Sequence, residues 1–263
     1  MPPTIQQVVD DILSTVPGAP IEDTVDTFKA GDPSKVVTGI VTTFLASLEC
    51  LREAQRLGAN FVITHEPTFY NHRDQTDWLK DNPVYQAKRK LLDETGIAVW
   101  RFHDHWHRHR PEGIMMGVIG RLGWSSYADP ANDYLFEIPP VSLGELVAFL
   151  KGKLDVGTAK VVGSRDLVCR RVGLLPGAAP GEWLIRSLGE GPIDVLVAGE
   201  ASEWQVYEYA RDAVSLGLSK GLVMLGHERT EEPGMAYLAE WLREMYPEVP
   251  ISHVPSGEPM SYQ

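Results

Sequence analysis

Apolar residues along this chain come in short continuous runs, each followed by a stretch in which they return every three to four positions. The first pattern is that of a strand buried on both faces and the second that of an amphipathic helix, so their alternation predicts an α/β protein. Residues 4–13 read as a helix, 36–44 (VVTGIVTTF) as a strand, 48–57 as a helix closed by Gly58, and 61–64 as the next strand. A helix at 84–94 follows, with Asn82 as its cap and Pro83 in its first turn, and Gly96 ends it before a strand at 97–102. These are two βα units in succession. Residues 112–122 read as a helix, and 124–133 (WSSYADPAND), rich in turn formers and without period, as the linker. Beyond it the alternation returns, with strands at 134–138, 159–162, 167–175, 194–198, 222–225 and 251–254. The helices between them fall at 142–154, capped by Ser142, and at 182–188, 202–216 and 235–245.

Composition narrows the class. A chain of 263 residues with 43% hydrophobic and 23% charged residues has material for a large core, which excludes collagen-like, low-complexity and largely disordered readings. Twenty-four Lys and Arg against 36 Asp and Glu leave a net charge of −12, which argues against nucleic acid and anionic membranes as partners. No apolar run reaches the roughly 18 residues of a membrane span, and MPPTIQQVVDD has acids where a secretory signal is basic, so a cytoplasmic location is expected. Cys50 and Cys169 form no C-x-x-C pair, so a metal would be held by histidine and carboxylate.

Three segments offer those donors, each at the C-terminal end of a predicted strand, where ligand sites of open α/β sheets gather. The first is Thr64-His65-Glu66-Pro67, in which the proline breaks the strand so that His65 and Glu66 can turn to one site. The second, Phe102 to His109, holds four of the chain's eight histidines; if it stays extended, His103, His105, His107 and His109 alternate onto one face. It does not keep the register of the H-x-H-x-D-H pattern of metallo-β-lactamase-like hydrolases. The third is Gly226-His227-Glu228-Arg229-Thr230-Glu231, where His227 and Glu231 share a face if the segment is helical. For these residues to meet, the final segment must fold back onto the first lobe. Gly173 to Gly181 runs from strand to helix without the spacing of a phosphate-binding loop and reads as a structural turn. Trp183, Trp204 and Trp241 read as packing residues.

In order and spacing these segments resemble the Nif-three-like family of dinuclear-metal proteins, also known as GTP cyclohydrolase I type 2. The family has a strand ending in two histidines and proline, then H-T-N-L-D, then G-H-x-x-x-E. Thr64-His65-Glu66-Pro67 is similar to the first, His103 to His107 falls in the register of the second, and Gly226-His227 with Glu231 matches the third; Ala198-Gly199-Glu200 resembles the family's T-G-E. Two positions depart, with Glu66 at the second histidine and His107 at the ligand aspartate. One histidine and one carboxylate have exchanged places, so the inventory of donors is kept.

The resemblance implies two α/β lobes with mixed sheets flanked by helices, the first comprising 1–125 and 220–263 and the second 126–219. It implies two divalent ions, zinc, manganese, iron or nickel, held by His65, Glu66, His107, His227 and Glu231, with Glu231 the bridge. His103 is expected to orient a ligand and, with Glu200 or His105, to move protons, while His105 and His109 are otherwise expected on an exposed loop. The implied activity is metal-dependent hydrolysis of a small phosphorylated or nucleotide-like substrate by a ring-shaped hexamer. The alternative is a non-catalytic metal-binding protein that acts through protein surfaces.

Overall fold

The computed structural model describes residues 2–261. In chain order the elements are α1 (Ile5–Ser14), β1 (Phe28–Ala30), β2 (Ile40–Thr43), α2 (Leu48–Arg56), β3 (Phe61–Thr64), α3 (Pro83–Thr95), β4 (Ala98–Arg101), α4 (Asp104–Arg108) and α5 (Gly113–Leu122). There follow β5 (Ala128–Asp129), β6 (Asn132–Ser142), α6 (Leu143–Leu154), β7 (Lys160–Val162), β8 (Val168–Leu175), α7 (Gly181–Gly189), β9 (Val195–Ala198), α8 (Glu208–Ser215), β10 (Gly221–Met224), α9 (His227–Met245) and β11 (Ile251–His253). The chain gathers into two units, one of residues up to Gly117 with Gly234–Gly257, the other of Val118–Pro233 with the residues from Glu258.

The first unit is built on a five-stranded sheet in the order β1-β4-β3-β2-β11. β4, β3, β2 and β11 run parallel, and β1 pairs antiparallel at the edge. All residues of β2, β3 and β4 are buried, as strands covered on both faces require. The helices begin and end where their caps dictate. Ser47 Oγ accepts from the Cys50 amide at the start of α2, and the Asn82 side chain accepts from the amides of Val84 and Tyr85 at the start of α3, which Gly96 closes in the left-handed region at φ 65°. Burial of large side chains such as Phe61, Trp100 and Trp106 stabilises the unit by about 2 to 3 kcal/mol each.

The second unit holds a six-stranded mixed sheet in the order β5-β6-β8-β9-β10-β7, in which β8, β9 and β10 are parallel and β5, β6 and β7 antiparallel to their neighbours. Its α6 starts with a capping box, the Ser142 hydroxyl on the Glu145 amide and the Glu145 carboxylate on the Ser142 amide. Both units are sheets flanked by helices, the expected α/β class, and β11 returns to pair with β2 of the first sheet. No helix among the described residues is long and apolar enough to cross a membrane.

Several expectations are corrected. The strand read over 36–44 is regular only in β2, and the linker read over 124–133 contains a 3-10 turn and β5. The helix read over 202–216 opens as a π-turn at Glu203–Tyr207 before α8, and Trp204 in that turn is 77% exposed, so it is not a packing residue. The first lobe was expected to take 220–263, but β10 pairs with β9 and β7, and the chain groups with the first unit only from Gly234. His227 and Glu231 therefore lie in the second unit, and His65, Glu66, His103 and His107 in the first.

Candidate metal centre

His65 follows directly on β3. Its amide donates to the Thr43 and Phe44 carbonyls and the Glu66 amide to the Phe44 carbonyl at 2.8 Å, so the strand's pairing extends to the turn and places a wholly buried imidazole at the sheet's C-terminal end. His103 and His107 come from the next strand's end, through α4. Their rings close around that of His65, with centroids 4.6 Å (His65 to His103), 5.0 Å (His65 to His107) and 4.8 Å (His103 to His107) apart. One ligand nitrogen from each of the three lies within 4.8 Å of the others.

The hydrogen bonds of the rings fix which nitrogen that is. His65 Nδ1 donates to the Phe102 carbonyl at 3.1 Å, His103 Nδ1 to Asp104 Oδ1 at 2.9 Å, and His107 Nδ1 to Glu112 Oε1 at 2.7 Å. Oxygen at Nδ1 holds each ring in the Nδ1–H tautomer with the lone pair on Nε2, the arrangement found behind metal-binding histidines. Burial, reinforced by the neighbouring His103 and His107, pushes His65 well below the usual histidine range, so it stays neutral and able to donate its lone pair. The hydrogen bond from His103, with a further one from Thr24, holds the Asp104 carboxyl far below its ordinary value. The set fits a transition-metal ion in donor type.

The four-histidine run divides because it is helical. Asp26 supplies the helix start: its Oδ1 accepts from the amides of His103 (2.8 Å) and Asp104 (3.1 Å), and its Oδ2 from the amide (2.9 Å) and ring Nδ1 (2.7 Å) of His105. With a period of 3.6, His103 and His107 share one face and His105 and His109 the other. His105 is 1% exposed and His109 7%, which corrects the expectation of a solvent-exposed loop. His105 Nε2 accepts from the Ile21 amide at 3.1 Å, so both of its ring nitrogens are engaged in holding α4. Trp106 anchors the helix from below, fully buried against Tyr237 and Trp241, and a Cβ on Gly113 would lie 2.0 Å from its ring.

Glu66 is held from its other side. Arg101, the buried last residue of β4, donates from Nε to the His65 carbonyl (3.0 Å), from Nη1 to the His72 carbonyl (2.5 Å) and from Nη2 to Glu66 Oε2 (3.2 Å). Glu66 Oε1 lies 3.7 Å from His103 Nε2.

In the second unit, β10 ends at Met224 and α9 starts at His227, so the spacing of His227 and Glu231 is helical, with Nε2 and Oε2 2.9 Å apart. Glu200 Oε1 lies 3.6 Å from His227 Nδ1, and the neighbouring imidazole holds the Glu200 carboxyl below its usual range. The turn after β8 is part of this arrangement. Gly177, at φ 70°, packs so closely that a Cβ there would lie 1.9 Å from Glu231 Oε1, and its amide donates to Thr230 Oγ1 at 2.9 Å. A Cβ on Gly199 would meet the Gly177 carbonyl at 2.4 Å. The sequence offers the glycines of this turn but not their target. Asp26, Arg101, Asp104 and Glu112 escape sequence reading because each acts through a contact that no spacing encodes.

The chain is similar to known proteins over most of its length. Duf34/NIF3 (NGG1p interacting factor 3) matches residues 22–258. The GTP cyclohydrolase 1 type 2 homolog of Escherichia coli (strain K12) is 24% identical over 249 residues, covering 91% of this chain and 92% of that protein. Its namesake in Clostridium perfringens (strain 13 / Type A) is 20% identical over 224 residues, 81% of each. Among solved structures, Staphylococcus aureus hypothetical protein SA1388 superposes with a TM-score of 0.79 at 20% identity over 100% of both chains. A Bacillus cereus protein related to NIF3 superposes at 0.78 with 16% identity, again over 100% of both. At these identities the structural likeness establishes the fold.

Proposed function

From the premise that this chain belongs to the Duf34/NIF3 family, we propose that it is a metal-dependent hydrolase of a small phosphorylated or nucleotide-like molecule. The observation that carries the reading is the trio His65, His103 and His107, three imidazoles each tied at Nδ1 to an oxygen and presenting Nε2. The relatives' name, GTP cyclohydrolase 1 type 2 homolog, supports a nucleotide-like substrate class. The residues proposed as ligands of two divalent ions are His65, Glu66, His107, His227 and Glu231.

Such ions, when bound, lower the pKa of a water towards neutrality and polarise the bond to be cleaved. The chain's own residues do the rest. Phe102, Asp104 and Glu112 hold the three rings against rotation, and Arg101 donates to Glu66 beside them. Glu200, ionised and exposed next to His227, is the group placed to accept a proton from substrate or solvent. His105 is committed to Asp26 and Ile21, so proton transfer falls to Glu200 before it.

A cytoplasmic, homo-oligomeric protein, hexameric as the resemblance implies, with no nucleic-acid partner, completes the reading. The test is turnover by protein loaded with zinc, manganese, iron or nickel against GTP and a panel of phosphoesters and cyclic amides. Activity lost on chelation and regained on adding metal is expected; no turnover of any member by loaded protein contradicts the enzyme reading. The family's description as an interacting factor supports the rival, a metal-binding protein acting through protein contacts. Glu231→Ala separates the two, since loss of turnover with the fold intact belongs to the hydrolase.

A further inference from the structure

We infer that His103, and not Glu66, completes the metal site of the first unit: His65, His103 and His107 bind one divalent ion through their three Nε2 atoms, while Glu66 remains with Arg101 as an outer anion. The inference rests on the metal reading above and reassigns one of its ligands.

The hydrogen bonds distinguish the two candidates. His103 has the support of a ligand, with Nδ1 on Asp104 Oδ1 at 2.9 Å, the same arrangement that Phe102 gives His65 and Glu112 gives His107. Glu66 has the support of an ion-pair partner. Its Oε2 is 3.2 Å from Arg101 Nη2, and that guanidinium is wholly buried, with its Nε and Nη1 committed to the carbonyls of His65 and His72. Arg101 cannot follow the carboxylate without giving up those carbonyls, and a buried guanidinium left without its carboxylate is unfavourable.

The chemistry agrees. Three neutral imidazoles leave the full charge on the ion, and a carboxylate just outside the nitrogens, with Oε1 3.7 Å from His103 Nε2, offsets it without entering the donor set. Three protein nitrogens also leave a position for water or substrate, as catalytic zinc sites do. The exchange of histidine and carboxylate between positions 66 and 107 then has a simple meaning. Nitrogen lost at position 66 is restored at 107, and it joins His103 across one helical turn of α4.

The test uses metal-free full-length protein titrated with cobalt(II), read by visible d–d absorption. The wild type is expected to give the intense bands of a low-coordinate nitrogen site. Glu66→Gln should keep those bands, with affinity falling no further than the roughly 10–100-fold typical of an outer-shell partner, whereas His103→Ala should lose them and weaken binding by more than about 100-fold. Imidazole nitrogen NMR of the wild type with zinc gives the same answer without any substitution: the Nε2 signals of His65, His103 and His107 should move together. Loss of the cobalt bands in Glu66→Gln with retention in His103→Ala, or a His103 Nε2 signal unmoved by zinc, overturns the assignment and leaves the metal reading standing. Failure of the wild type to bind either ion overturns both.

Discussion

Glu112 determines which nitrogen His107 presents. Its Oε1 accepts from His107 Nδ1 at 2.7 Å, while Oε2 accepts from the Met115 amide at the start of α5, so one side chain caps a helix and orients a ring. Glu112→Gln should lower metal affinity by about 10–100-fold, because an amide no longer enforces the tautomer, with little change in the far-ultraviolet spectrum. Isothermal titration with zinc measures it, and unchanged affinity would remove Glu112 from the account. Gly177 makes the complementary case in the second unit. A methyl at 1.9 Å from Glu231 Oε1, on a residue at φ 70°, must displace the carboxylate. Gly177→Ala should therefore reduce metal content as Glu231→Ala does, and wild-type content in the alanine variant would show that Glu231 is not a ligand. Such residues mark where the sequence stopped being legible. His65, His107, His227 and Glu231 stand out by type and spacing, whereas Glu112 and Gly177 matter only through atoms that folding brings to them.

Among the elements, α4 is where a local pattern misled. Alternating histidines in Phe102 to His109 have the period of a strand, yet Asp26, far back in the sequence, collects the amides of His103, Asp104 and His105 and turns the segment helical. The result sends His105 and His109 inward and leaves His103 and His107 together. Asp26→Asn keeps the shape but loses the charge that faces those amides and the His105 ring, and should cost about 3 kcal/mol, read by urea unfolding. A change below about 0.5 kcal/mol would mean that α4 does not depend on Asp26. By contrast β3, α2 and α3 were legible to within a residue or so. Their signals, buried runs and Ser47, Asn82, Pro83 and Gly96 at the ends, are local and complete within the segment.

For the molecule as a whole, pH reaches stability through Lys88, 1% exposed on α3, with Nζ donating to the Thr68 carbonyl at 2.6 Å in the loop that follows His65 and Glu66. Burial pushes this ammonium down to about 8, against the opposing pull of Asp74. Between about 8 and the unfolded value near 10.4 the unfolded chain carries a proton that the native chain lacks, so stability attributable to Lys88 rises with pH through that window, by up to roughly 3 kcal/mol. Unfolding free energies at several pH values should show this rise in the wild type relative to Lys88→Met, and parallel curves would contradict it. The α/β class was legible from alternation and the return of the C-terminal strand from segment order, while the two lobes came from the family resemblance; the assignment of His227 and Glu231 to the second unit was not legible, because it depends on β10 pairing with β9 and β7. The central claim is that these histidines hold metal, and the direct measurement is the metal content of untagged protein by mass spectrometry beside a His107→Ala variant. Tightly bound divalent metal is expected in the wild type, with loss of at least one equivalent in the variant; equal content in the two would contradict metal binding by these histidines.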